Sequence, residues 1–144
     1  MKAIKFLSRM VLAMALMMAF AMSAEAQSYE TAQSYKLIKT VEGNGTVWDG
    51  KGTRHRFIFD GNIVHYYYAA NYVNKYQYSH QSNGNAVYYL LAYDYLYNRT
   101  VLNEREYMLV SPDRELINKV STTCGVTTQV YRLDKNNGIE EMIR

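Results

Sequence analysis

Cysteine and proline occur once each in the 144 residues. Beyond residue 26 the longest apolar stretch, Ala86–Tyr93, covers eight residues, against the roughly 20 that a membrane-spanning helix needs. With Cys124 alone, no disulfide can form within the chain, so stability has to come from packing and backbone pairing. Cys124 stands in "STTCGVTT" with no acid–base partner nearby in sequence, which suits a buried or half-buried small hydrophobe rather than a catalytic thiol. A disulfide-linked homodimer is the one pairing left to it. Also missing are C-x-x-C, H-E-x-x-H and Asp-rich metal loops, G-x-S-x-G, a phosphate loop and a dinucleotide fingerprint. The expectation is a protein with no metal and no cofactor, and not an enzyme.

The N-terminus has a different composition. Lys2, Lys5 and Arg9 precede an uncharged run from Met10 to Ala24, and "AEA" follows with Ala24 and Ala26 at the small positions of a cleavage site. Residues 1–26 read as a signal peptide, and 27–144 as a single exported β-domain, periplasmic or secreted, with 27–34 and 134–144 flexible. Position 27 is Gln rather than Cys, so there is no acceptor for a lipid anchor. After cleavage no segment remains for stable membrane insertion. The three basic residues and one acid of 1–26 leave thirteen basic against twelve acidic residues, a net charge of +1. So balanced a chain offers no electrostatic footprint for nucleic acid.

What the mature chain does have is tyrosine. All 15 lie beyond residue 26, six of them within "HYYYAANYVNKYQYSH", His65–His80. Turn signals punctuate the chain at "EGNG", "FDGN" and "SNGN", with glycines 18 and 23 residues apart. Strands at a pitch of about ten residues follow from that spacing. The fold class is all-β: an antiparallel meander forming a small barrel or sandwich of about seven to eight short strands. At most one short helical turn is expected near 112–118, where Ser111 is a candidate N-cap, Pro112 a first helical residue, and Leu116, Ile117 and Val120 an apolar face.

"TRHRFIFDGNIVHYYY" is the clearest hairpin. A two-residue turn at Asp60-Gly61 would set His65 opposite Arg56 and His55 opposite Tyr66, leaving the two histidines on opposite faces. From Tyr72 the alternation puts Tyr72, Asn74, Tyr76 and Tyr78 inward and Val73, Lys75, Gln77 and Ser79 outward. Tyr68, Tyr72 and Tyr76 also have helical spacing, but Tyr and Val favour pleated surfaces and Asn is a poor helix former. "AVYYLLAYDYLY" is apolar on both faces up to Asp94, as a strand covered on both sides would be. Glu104 and Glu106 flank Arg105 in the manner of a solvated strand edge, and Asp94 reads as a strand end.

Tyrosine joins a large apolar ring to a hydroxyl that needs a partner, so it suits barrel interiors and ligand platforms alike. Tyr66 and Tyr68 point opposite to Tyr67, so one set fills the core and the other lies outside it. Tyr66, Tyr67, Tyr68 and the lone Trp48 are the candidate ligand-binding residues. The leading functional expectation is a binding module for a small ligand, glycan, peptide or protein, using an aromatic face or cavity. A structural or assembly protein pairing through sheet edges comes second, and a small hydrolase or inhibitor third.

"AEAQ", "FIFDGNIVHYYY", "YMLVSPDRELIN" and "VYRL" together resemble the small signal-peptide-bearing exported β-proteins of the Bacteroidetes type. That resemblance spans most of the mature chain and implies fold and compartment, not activity. "GTVW" is similar to the early Gly-x-Trp of lipocalins, but Gly45 and Trp48 stand one residue further apart, so lipocalin-type transport is an analogy only.

Overall fold

The structure, a computed structural model, describes residues 32–69 and 72–135, so the expected signal peptide and most of both expected tails lie outside it. Every regular element described is a strand: β1 (Gln33–Glu42), β2 (Val47–Asp49), β3 (Arg54–Asp60), β4 (Ile63–Ala69), β5 (Tyr72–Ser82), β6 (Asn85–Asp94), β7 (Arg99–Val110), β8 (Leu116–Ser121) and β9 (Thr127–Leu133). All pairings are antiparallel, in the order β2-β1-β3-β4-β5-β6-β7-β8-β9. A further pairing of β1 with β9, from Tyr35↔Leu133 to Glu42↔Thr127, closes eight strands into a barrel and leaves β2 as an extra. Of the two forms expected from the turn spacing, a small antiparallel barrel or a sandwich, this is the barrel.

β1 holds the closure together by changing partner. Its first half pairs with β3 (Gln33↔Phe57 to Lys36↔Arg54) and its second half with β2 (Lys39↔Asp49 to Val41↔Val47), while its other edge stays on β9. Gly50 makes the change possible. A Cβ there would lie 2.3 Å from the Leu37 carbonyl oxygen, so only glycine lets the chain pass from β2 to β3 so close to β1. Residues at the edges of the two expected tails take part in the closure. Gln33 and Ser34 belong to β1; the buried Asp134 donates its N–H to Ser34 O (2.9 Å), and its carboxylate pairs with Arg54 Nε at 2.8 Å.

Local chemistry explains most turns and corrects two expectations. Asn83 (φ 50°) and Gly84 (φ 82°) both take left-handed backbone, as a two-residue hairpin requires. The β3–β4 turn is instead centred on Gly61-Asn62, with Gly61 at φ 56°, so Ile58 faces His65 and Phe57 faces Tyr66. That two-residue slip from the expected register keeps every side chain on its expected face, because the strand period is two. Near 112–118 there is no helix. Ser111 and Asp113 do form a tight turn, in which Arg114 N–H donates to Ser111 O (2.9 Å) and Glu115 N–H to Asp113 Oδ1 (3.0 Å). Arg114 then takes φ 58°, which ends the turn, and Leu116, Ile117 and Val120 enter β8.

Inward-facing residues fill the barrel with aromatic rings. Phe57 is the hub, with ring centroids 5.0 Å from Tyr35, 5.0 Å from Tyr66 and 5.3 Å from Tyr131. Each such pair adds about 0.5–1.5 kcal/mol beyond the area it buries. Val64, Met108, Val110 and Ile117 fill the spaces between the rings. Burial pushes the Tyr35 hydroxyl up to about 12, opposed by the nearby Arg114 charge, and that hydroxyl donates to Arg114 O at 2.5 Å.

Tyr76 is buried on β5 and its neighbour Lys75 is exposed, as the alternation requires. Tyr76→Ala should therefore cost about 3 kcal/mol or more in urea unfolding. Lys75→Ala should change stability by less than about 0.5 kcal/mol. Similar costs for the two would contradict the inward orientation of Tyr76.

Candidate functional site

The two ends of the barrel differ in chemistry. The end bearing the β3–β4, β5–β6 and β7–β8 turns lies over Phe59, Tyr78 and Tyr88. Toward the end bearing the β4–β5, β6–β7 and β8–β9 turns, the inward positions become polar: His55 on β3, Glu106 on β7, Lys119 and Ser121 on β8, and Gln129 on β9. This second end is the candidate site.

Hydroxyls organise it. Tyr66 Oη lies 2.6 Å from His55 Nδ1 and 3.5 Å from Tyr131 Oη, and Tyr131 Oη is 3.4 Å from the same nitrogen. The Tyr131 hydroxyl also donates to Gln129 Oε1 at 3.3 Å. The rings of His55 and Tyr66 stack nearly parallel (5°), with centroids 5.7 Å apart. Across the barrel, Glu106 Oε1 accepts hydrogen bonds from Ser121 Oγ (2.6 Å) and Thr123 Oγ1 (2.8 Å). Lys119 Nζ lies 4.7 Å from the Tyr66 ring centroid. Among the described residues this ammonium has no hydrogen-bond acceptor.

Glu106 reaches the interior through a bulge in β7. Tyr89 pairs with Tyr107 but Leu90 with Asn103, so residues 104–106 have no partners on β6. Asn103 Oδ1 accepts the Arg105 N–H at 3.1 Å, a local bond that holds the bulge. Glu106 then shares the inward face with Met108 and Val110, while pairing on its other side with Ser121.

Burial sets the electrostatics. It lowers the Lys119 ammonium below its ordinary pKa, and the Glu106 carboxylate opposes that shift. It lowers His55 as well, with the Lys119 charge adding to the effect, so the imidazole is neutral at pH 7. It raises Tyr66, Tyr76 and Tyr131, which keep their protons well above neutral pH. The site thus presents one cation, a carboxylate already held by two hydroxyls, a neutral imidazole and several phenol hydroxyls.

Exposed aromatics stand near this end. Tyr68 and Tyr72 stack with centroids 5.7 Å apart and are 52% and 61% exposed. Tyr72 has the inward parity expected of it, but at the start of β5 it sits at the rim rather than in the core. The β4–β5 register shifts between Tyr67 and Ala69, just before the rim. The apolar run Ala86–Tyr93 is buried or half-buried as far as Ala92, and Tyr93 is 47% exposed. It passes into the β6–β7 turn, where Tyr95 (87%) and Leu96 (82%) are exposed. Asp94 ends the strand there, its Oδ1 accepting the Leu96 N–H at 3.0 Å.

Of the four residues expected to bind a ligand, two share this end. Tyr66 lies inside and Tyr68 at the rim, with centroids 6.2 Å apart. Tyr67 has the opposite parity and is half-buried on the outer face, and Trp48 is exposed on β2, outside the eight-strand wall. Glu106, expected at a solvated edge, is the main correction; Lys119, His55 and Gln129 were not marked as site residues. Strand parity carried the missing signal, since Lys119 follows the buried Ile117 by two and Gln129 precedes the buried Tyr131 by two. Cys124 is exposed in the β8–β9 turn rather than buried. His55 and His65 lie on opposite faces, and among the described residues no three His, Cys, Asp or Glu side chains are grouped to hold a metal ion. No protein-family model matches the chain, and neither a curated protein nor a solved structure matches it.

The histidines give this fold an acid-sensitive component. His55 and His65 are both lowered, first by burial, His55 also by Lys119 and His65 by Lys75 against the opposing Asp60. The unfolded chain therefore takes up protons first as pH falls below about 6.5, and folding stability drops through that window. Urea midpoints should decline on acidification from about pH 6.5, with a shallower decline in His55→Gln. A midpoint that holds or rises on acidification, or an identical slope in the variant, would contradict the burial of His55.

Proposed function

We propose that this chain is an exported, non-enzymatic binding protein whose ligand enters the barrel at its tyrosine-rimmed end. The observation that carries this reading is Lys119. A barrel meant only to be filled would place an apolar residue beyond Ile117, whereas Lys119 stands half-buried at that inward position. Lys119 instead faces a ring and lacks an acceptor among the described residues, so a ligand bearing a carbonyl, hydroxyl or carboxylate oxygen can supply one. Tyr68 and Tyr72 offer a stacking surface for sugar rings or peptide side chains above it. A glycan, a peptide or a small polar molecule fits this combination.

Assembly through sheet edges has less support. Closure removes the open edges that such pairing needs, and among the described residues it leaves the three-residue β2.

Intact mass tests export: the exported chain should begin at Gln27, and retention of residues 1–26 would contradict the signal peptide. Binding is tested by tyrosine fluorescence with soluble oligosaccharides and short peptides. One class should give a saturable change. Tyr72→Ala should weaken it about tenfold, the equivalent of ~1.4 kcal/mol of lost stacking, and Lys119→Met should weaken it further. The reading fails if neither class saturates, or if both substitutions leave binding unchanged.

A further inference from the structure

The opposite end of the barrel contains a second, independent feature. A cleft of about 420 Å³ opens between the β3–β4, β5–β6 and β7–β8 turns. Its walls include Asn62, Gln81, Tyr78, Tyr88 and Arg114. The volume lies within the range of small-molecule sites, roughly 300–1,000 Å³.

Arg114 is the residue that requires explanation. It takes φ 58°, left-handed backbone that side chains other than Gly, Asn and Asp seldom adopt. Its guanidinium lies 4.5 Å from the Phe59 ring centroid, at the apolar base of the barrel. The acids beside it are engaged elsewhere: Asp113 accepts from Ser111 Oγ at 2.6 Å and Glu115 pairs with Lys135 at 2.9 Å. Among the described residues no carboxylate pairs with the Arg114 guanidinium. The loop itself is held without that side chain, because the Tyr35 hydroxyl binds the Arg114 carbonyl.

The aromatic surface beneath is continuous. Phe59 and Tyr88 meet edge to face at 6.5 Å, as do Tyr88 and Tyr78 at 5.6 Å. A guanidinium held over a ring face makes no hydrogen bond to that ring in its own plane, so its fork of N–H donors can still bind a carboxylate through two parallel hydrogen bonds. Asn62 and Gln81 add side-chain amides to the same cleft. The geometry points to a second binding site here, for a small carboxylic acid with a planar or apolar body: the carboxylate on Arg114, the body against Tyr78 and Tyr88. It is separate from the tyrosine-rimmed end and does not depend on the reading of that end.

The test is an amide-resolved NMR titration of the full chain with phenylacetate, and in parallel with the neutral phenylacetamide. Phenylacetate should shift the Arg114 Nε–H and the Asn62 and Gln81 side-chain amides saturably, and phenylacetamide should bind at least tenfold more weakly. Arg114→Asn suits the left-handed backbone and keeps the carbonyl bonded by Tyr35, so the fold should persist while phenylacetate binding falls at least tenfold. Lys119→Met, at the other end, should leave this titration unchanged. Equal binding of acid and amide by the unaltered chain would overturn the proposal, whether or not the variant folds. So would the absence of saturable shifts with phenylacetate, or undiminished binding by a folded Arg114→Asn.

Discussion

The pairing of β1 with β9 is the contact on which the rest of the molecule depends. The two strands lie about as far apart in sequence as the described residues allow, yet they align from Tyr35↔Leu133 to Glu42↔Thr127. With no internal disulfide available, this ladder and the Arg54–Asp134 pair beside it do the work of a covalent clasp. An open meander would leave two long edges and expose the ring cluster on one face. Closure removes those edges and turns eight amphipathic strands into one interior.

That interior explains the abundance of tyrosine. A small barrel needs large side chains to fill it, and phenylalanine would do so at the end closed by the Ser111–Glu115 turn. Farther along, each ring must also place a hydroxyl, and Tyr66 and Tyr131 place theirs on His55 and Gln129. The gradient from Phe57 and Met108 to Lys119 and Glu106 is thus built into alternate positions of the same strands. Specific chemistry collects where the interior stops being apolar, and Lys119 is its most informative member.

Strand character, antiparallel pairing and the facing of most side chains were legible in the sequence because they depend on local rules. Alternation placed Tyr76 inward and Lys75 outward, and Asn83-Gly84 announced its turn. What was not legible depended on distant or subtle geometry. The β7 bulge is fixed by one Asn103–Arg105 bond, and only with it in view does Glu106 come inside. The Ser111-Pro112-Asp113 turn has the same first bonds as a helix start, and the left-handed Arg114 decides against continuing it. Two aromatic members of the candidate site, Tyr66 and Tyr68, were found by tyrosine density. The charged members were hidden, because lysine and glutamate in a strand ordinarily mark a solvated face.

Barrel closure is tested most directly by cross-strand nuclear Overhauser effects between β1 and β9. The account predicts contacts linking Leu37 with Tyr131 and Val41 with Thr128, with slow exchange of the amides in that ladder. Absence of these contacts, together with rapid exchange along β1 and β9 while β5–β6 stays protected, would mean an open sheet and contradict the closed interior.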